Sequence, residues 1–232
     1  MGSNKKTKVL NGIVIHFVLI IGASVMLLPF IWMVLTSLKI PHQIMTWPPV
    51  FIPSPITLDN YYLVFEKAPF LLYFMNSLVI SVISTVSILI TSSISGFVFA
   101  KYEFPGKNAF FLLILATVMI PFQSLMIPLF LIMTQLGLVD TYLGIVAPML
   151  IMSFGIFLMR QYIVSIPNDL LEAGRIDGCS EFGLYVRIVL PSIKPALSAL
   201  GIMAFMVAWG EFICPLIITN SPEKYVVELG LA

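Results

Sequence analysis

Residues 166–195 read IPNDLLEAGRIDGCSEFGLYVRIVLPSIKP, the one long charged interruption in a chain that is otherwise apolar almost throughout. Arg160, Asp169, Glu172, Arg175, Asp177, Glu181, Arg187 and Lys194 crowd in and around it, although only 10% of the 232 residues are charged. This segment meets water, and the stretches on either side of it do not. Pro167 with Asn168 and Asp169 predicts the start of a short helix, and Gly178 its stop; Ser180 predicts the cap of a second helix, which Pro191 should end. Ala173 and Gly174 make a small, flat surface beside Leu170. In the second helix Phe182, Tyr185, Val186 and Val189 fall at helical spacing and make an apolar stripe. Periodicity leaves two readings open: a docking element, or an ordinary cytoplasmic loop resting on its own bundle.

Outward from this loop, the composition decides the class. An apolar fraction of 59% and a mean hydropathy of +1.05 lie far from the roughly 45–50% apolar, 25% charged make-up of soluble domains. Five apolar stretches can be delimited by their flanking charges: 9–38, 68–100, 108–139, 141–159 and 195–222, the last interrupted by Glu211. Each reaches or approaches the roughly 20 residues that cross a bilayer. None alternates strictly, so helices are expected rather than barrel strands. The first stretch is too long for a signal-peptide core and lacks a small-x-small site, so it is read as an uncleaved anchor.

Counting Lys and Arg in alternate loops sets the orientation. With the N-terminus inside, Lys5, Lys6, Lys8, Lys101, Lys107, Arg160, Arg175, Arg187 and Lys194 are cytoplasmic, against Lys39, Lys67 and Lys224 outside. That bias is the positive-inside pattern. Residues 1–38 then form a cytoplasmic start and first span, 39–67 a proline-rich outer segment expected to be irregular, and 68–232 the core with its cytoplasmic loop.

Several classes fall away. Cys179 belongs to the loop and Cys214 to an apolar stretch, so neither a disulfide nor a thiol metal site is expected. The net charge of +1 carries no nucleic-acid signature, and no G-x-x-x-x-G-K-[ST] phosphate loop occurs, so the chain is expected not to be an enzyme.

Within the second stretch Ser77, Ser81, Ser84, Thr85, Ser87, Thr91, Ser92, Ser93, Ser95 and Gly96 predict close helix packing with hydroxyls bonding across the contact, and a polar pathway is the other reading. Pro121, Gln123 and Pro128 in MIPFQSLMIP predict a kink, which either marks a pathway or is plain packing. Glu211 is a costly acid in an apolar run. Two readings stay open for it: with Trp209 in a sugar path, or in helix–helix hydrogen bonding near the outer end.

At the charged loop a resemblance enters. Glu172-Ala173-Gly174, three residues, Gly178, nine residues, then Ile188-x-Leu190-Pro191 resembles the E-A-A-x3-G-x9-I-x-L-P signature of permease subunits of bacterial ABC importers. Six of seven fixed positions agree, and Gly174 replaces one small residue by another. Asn76-Ser77, Phe104-Pro105-Gly106-Lys107, Ile120-Pro121, Ile127-Pro128, Thr141-Tyr142 and Trp209-Gly210-Glu211-Phe212 extend the likeness to the sugar-importer branch and its maltose-type second permease. That family normally carries Asn where Gly210 stands.

The resemblance implies an all-α membrane bundle of the type I ABC importer class. It implies docking of an ATPase on Leu170, Glu172, Ala173, Gly174, Asp177, Gly178, Ile188, Leu190 and Pro191, and a solute path touching Trp209, Glu211 and Gln123. It also implies no cofactor in this chain, with ATP and Mg on the ATPase. The expected partners are a second permease, two ATPase subunits, a solute-binding protein, the lipid bilayer and a sugar. The expected location is the bacterial inner membrane. Such permeases have six spans, so five in this chain leave the sixth as missing. A permease for polyamine, peptide or phosphate, and a secondary transporter, are the alternatives.

Overall fold

The computed structural model describes residues 3–232, with side chains described from residue 11 onward. Two compact units emerge, residues 1–68 and 69–232. Lys5, Lys6 and Lys8 lie outside the described side chains.

The first unit is built on helix α1 (Ser3–Ser37). Its stretch Asn11–Ser37 is long and apolar enough to cross a membrane. The proline-rich segment after it is less irregular than its prolines suggest. A single turn at Pro41–Ile44 leads to helix α2 (Asp59–Lys67), because Pro41 sits at a first helical position where its missing N–H is not needed. Asn60 ties this helix back by donating from Nδ2 to the carbonyls of Ser37 and Lys39 at 2.9 and 2.7 Å. Lys39 is buried with its ammonium 4.0 Å from the centre of the Trp32 ring.

In the second unit, helix α3 (Phe70–Lys101) is the centre. The remaining helices are α4 (Lys107–Val118), α5 (Phe122–Gln135), α6 (Tyr142–Val146), α7 (Ser153–Val164), α8 (Asn168–Ile176), α9 (Glu181–Ser192), α10 (Lys194–Trp209), α11 (Ile213–Ile218) and α12 (Val227–Gly230). Among the described residues three stretches, Asn11–Ser37, Phe70–Lys101 and Tyr142–Val164, qualify alone as membrane spans. The count reaches five if each of two bent pairs is one span.

The kink expected in the third stretch is a full break, and the fifth stretch is interrupted as well. Residues 108–139 are not one kinked helix: α4 and α5 meet at 101°, with Pro121 in an extended conformation as the N-cap of α5. A proline disfavours helix in the residue before it and supplies no N–H, so the chain breaks there. Pro128, by contrast, sits inside α5 without ending it. The fifth stretch stops at Trp209, restarts at Ile213 and stops again at Ile218.

Small residues set the central packing, as the serine stripe predicted. A Cβ on Gly96 would fall 2.6 Å from the Met159 Cβ, and one on Gly155 only 2.4 Å from the Ser92 hydroxyl. Both numbers of each pair rise together, so α3 and α7 run in the same direction, as alternate spans must. On α10, Ala196, Leu200, Ala204 and Ala208 are buried at four-residue intervals. The hydroxyls of Ser81, Ser84 and Ser92 have no partner among the described residues, so these serines act through size. Ser87 differs, donating to the Leu150 carbonyl at 2.9 Å in the short non-helical step 150–152 before α7.

At the end of the unit that holds the α5–α6 turn, Asp140 fastens that turn to the segment after α11. Asp140 has a φ of 57°, a conformation that Asp tolerates better than most residues. Its carboxylate accepts from the backbone N–H groups of Asn220 and Ser221, both at 3.0 Å, from the Ser221 hydroxyl at 2.5 Å and from the Lys224 ammonium at 2.9 Å. The Ser221 bonds above all hold this carboxyl well below its ordinary value. A depressed folded value stabilises the fold above the unfolded one, about 3.9, and is lost as pH falls below it. Thermal unfolding is therefore expected to show Asp140→Asn less stable than the wild type at pH 7, with the gap narrowing below about pH 4. A gap unchanged down to pH 3 would contradict this.

Candidate functional site

The charged loop folds as two helices joined by a tight turn, and its local chemistry explains both ends. Pro167 is the N-cap of α8, one residue earlier than its expected first-helical place, with Asp169 in the first turn. Gly178 ends the helix in the left-handed region with φ 81°. Around it, Cys179 N–H donates to the Gly174 carbonyl and Gly178 N–H to the Arg175 carbonyl, both at 3.0 Å. That pair of bonds closes the last turn of the helix and favours glycine at its centre. Ser180 then caps α9, its hydroxyl accepting from Gly183 N–H at 3.1 Å.

α9 ends at Ser192, one residue past Pro191. The proline lies within the helix, preceded by a widened π turn over Tyr185–Val189 in which Leu190 N–H reaches back to the Tyr185 carbonyl. The wider turn makes room for the proline ring, and the chain bends at Ile193, by 79° against α10. The π turn also divides the expected apolar stripe. Tyr185 and Val189 are buried, whereas Phe182 is 72% and Val186 43% exposed.

Buried members of the loop join the bundle core. Ile166, Leu171, Leu184, Tyr185, Val189 and Ile193 share one cluster with Phe97 of α3, Met159 of α7 and Leu200 of α10. Polar bonds add to it. The Tyr185 and Ser93 hydroxyls are 2.7 Å apart and buried, and Lys101 donates to Asn168 Oδ1 at 2.8 Å. Glu181 is held from two sides: Arg175 donates from Nε at 2.8 Å and from a terminal nitrogen at 3.1 Å, and the Tyr102 hydroxyl donates to Oε2. These bonds, Arg175 first, draw the Glu181 carboxyl down to about 2. Partial burial and the same carboxylate push Tyr102 up to about 12.

The residues expected to dock an ATPase divide into two groups. Leu170, Glu172, Ala173, Asp177, Gly178 and Pro191 are exposed. Gly174 is buried against the chain's own α9, where a Cβ would lie 2.5 Å from Leu184 Cδ2 and 2.9 Å from Ile188 Cδ1. It is therefore not part of an outward flat face; its smallness lets α8 and α9 touch. Ile188 and Leu190 are half-buried against the core cluster and brace the loop from behind. Ile176, 86% exposed, and Phe182, 72% exposed, are further apolar side chains that the loop turns outward, as is Leu170. Sequence periodicity placed Phe182 on the inner stripe because nothing in it announced the π turn. Among the described residues Glu172 and Asp177 meet no cation, so the face is apolar with free acids.

The three residues expected along a solute path are not brought together. Gln123 is exposed in the first turn of α5. Trp209 lines a groove of about 470 Å³, stacked 5.7 Å from Phe205 and edge-on 5.3 Å from Phe74. Glu211 turns elsewhere: its Oε1 accepts from Cys214 N–H at 3.0 Å, and it lines a separate cleft of about 160 Å³ with Ile88, Phe122, Met149, Met152 and Ala208. Among the described residues no three His, Cys, Asp or Glu side chains cluster as metal ligands would.

Comparison with known proteins places this geometry. The family described as binding-protein-dependent transport system inner membrane component matches residues 90–231. The arabinooligosaccharides transport system permease protein AraQ of Halalkalibacterium halodurans is 36% identical over 184 residues, 79% of this chain and 66% of that protein. The sn-glycerol-3-phosphate transport system permease protein UgpE of Yersinia enterocolitica is 33% identical over 223 residues, 93% of this chain and 79% of that one. The chain thus spans just under two thirds of the length of the AraQ relative. A crystal structure of a bacterial ABC transporter involved in the import of the acidic polysaccharide alginate superposes with a TM-score of 0.81 at 27% identity, over 96% of this chain and 78% of that chain. By the family match over 142 of its 232 residues and this superposition, the chain belongs to the binding-protein-dependent transport system inner membrane components and has the type I fold of an ABC importer permease.

Proposed function

We propose that the chain is the permease subunit of an ATP-driven importer of a sugar or oligosaccharide, forming half of the translocation pathway in the bacterial inner membrane with its N-terminus in the cytoplasm. The observation that carries this reading is the loop at 166–195. Its outward face is apolar and acidic through Leu170, Ile176, Phe182 and Glu172, while its inner face belongs to the same core as α3, α7 and α10. A partner that seats on the outer face moves the bundle, because packed, stiff elements transmit displacement.

The partner on that face is an ATPase subunit, present in two copies with ATP and Mg, one copy under this chain and one under a second permease. A solute-binding protein delivers the solute from the other side. The names of the relatives support carbohydrate, and the glycerol-phosphate relative keeps a phosphorylated solute as a second reading. Ligand screening of the cognate binding protein separates the two.

Reversing the charge of the docking face tests the proposal. Glu172→Lys is expected to lower ATPase co-purification and ATP-dependent uptake in proteoliposomes about tenfold or more, with the unfolding temperature unchanged because Glu172 is exposed. A variant that retains the ATPase and imports at the wild-type rate would remove the docking assignment.

A further inference from the structure

The cleft at Glu211 lies where broken helices meet halfway along their spans. Ile88 stands near the middle of α3 (Phe70–Lys101), and Phe122 opens α5 at the break in the pair Lys107–Gln135. Met149 and Met152 flank the non-helical step inside the span Tyr142–Val164. Ala208 and Glu211 border the break between α10 and α11. Three interruptions and one carboxylate therefore converge on a single space. In a bilayer, irregular backbone is tolerated where it lines a cavity, and discontinuous helices at mid-depth form solute sites.

We infer that this cleft is a solute subsite of the pathway, selective for neutral polyhydroxylated solutes over anionic ones through Glu211. One carboxylate oxygen, Oε1, is occupied by the Cys214 N–H. Oε2 has no partner among the described residues and accepts a hydroxyl. The walls, Ile88, Phe122, Met149, Met152 and Ala208, pack on C–H faces of a sugar. A fixed negative charge in this low-dielectric setting repels an anion that shares the cleft. Trp209 plays no part in it, because its ring lies in the other groove.

The solute class rests on the permease reading; the existence of a wet, negatively charged cleft does not. Val207 lines the same cleft and is half exposed. Val207→Cys, in the full chain with Cys179→Ala and Cys214→Ala, is treated in the assembled transporter with a cationic and an anionic methanethiosulfonate. Rates are normalised to those of each reagent with a small free thiol in solution. The cationic reagent is expected to react about tenfold faster than the anionic one, and adding Glu211→Gln is expected to bring the ratio near one. Gln keeps an oxygen acceptor for Cys214 N–H, so the start of α11 survives and only charge is removed. Absence of reaction with either reagent, or a ratio that Glu211→Gln leaves unchanged, overturns the inference whether or not sugar uptake is observed. Uptake without charge selection in the cleft would leave the permease reading standing and remove this one.

Discussion

Gly96→Leu is expected to produce the largest loss of stability of any single change in the bundle. A Cβ at residue 96 meets not only the Met159 Cβ at 2.6 Å but also the backbone nitrogen of Arg160 at 2.9 Å. A flexible side chain can swing away; backbone cannot, so α3 and α7 must separate. Overpacking of a tight contact costs about 1–3 kcal/mol and more where backbone has to move. The leucine variant is placed at the upper end, about 3 kcal/mol, and even alanine should be felt. Separation here also strains the Arg160 side chain, which donates to the Phe99 carbonyl at 3.2 Å and lies over the Phe111 ring. In detergent the variant should insert but unfold roughly 5–10 °C below the wild type. An unfolding temperature unchanged by leucine would mean that the two helices are not packed as described.

Much of this architecture was legible in the sequence, and the exceptions have identifiable physics. Apolar length marked the membrane stretches, since crossing a bilayer requires it regardless of packing. Small residues on α3 marked the tight face, since only size admits that approach. Ser180 and Gly178 marked the helix ends of the loop, because each answers a local backbone need.

What failed depended on partners distant in sequence. Pro191 marks the end of α9 to within one residue, but nothing near it announces the π turn upstream or the bend at Ile193 into α10. Gly174 looked like part of a flat outer face, but its side is set by Leu184 and Ile188, which arrive from the next helix. Trp209 and Glu211 stand two residues apart, and a shared solute path is one of the two readings that their spacing leaves open. The break after Trp209 sends them into different spaces, and spacing along the chain cannot report that.

Gly178→Val is expected to have the largest functional effect. No atom stands within 4 Å of where its Cβ would be, so crowding is not the issue; its φ of 81° is. A β-branched residue in the left-handed region is strained by about 1–2 kcal/mol, and relieving that strain opens the turn between α8 and α9. The outward face on α8 then loses its fixed relation to Tyr185, Val189 and the core beneath, while the spans themselves are untouched. An ATPase seated as proposed can still bind and turn over, but its movement is expected no longer to reach α3, α7 and α10. Gly178→Asn serves as the control, since Asn tolerates this conformation far better.

The central claim, that this loop carries ATPase motion into the bundle, is tested most directly by solute imported per ATP hydrolysed in proteoliposomes holding the complete transporter. Gly178→Val is expected to hydrolyse ATP while importing at about a tenth of the wild-type ratio or less, a loss matching at least about 1.4 kcal/mol of coupling, with Gly178→Asn close to wild type. A Gly178→Val transporter that imports as much solute per ATP as the wild type would contradict it.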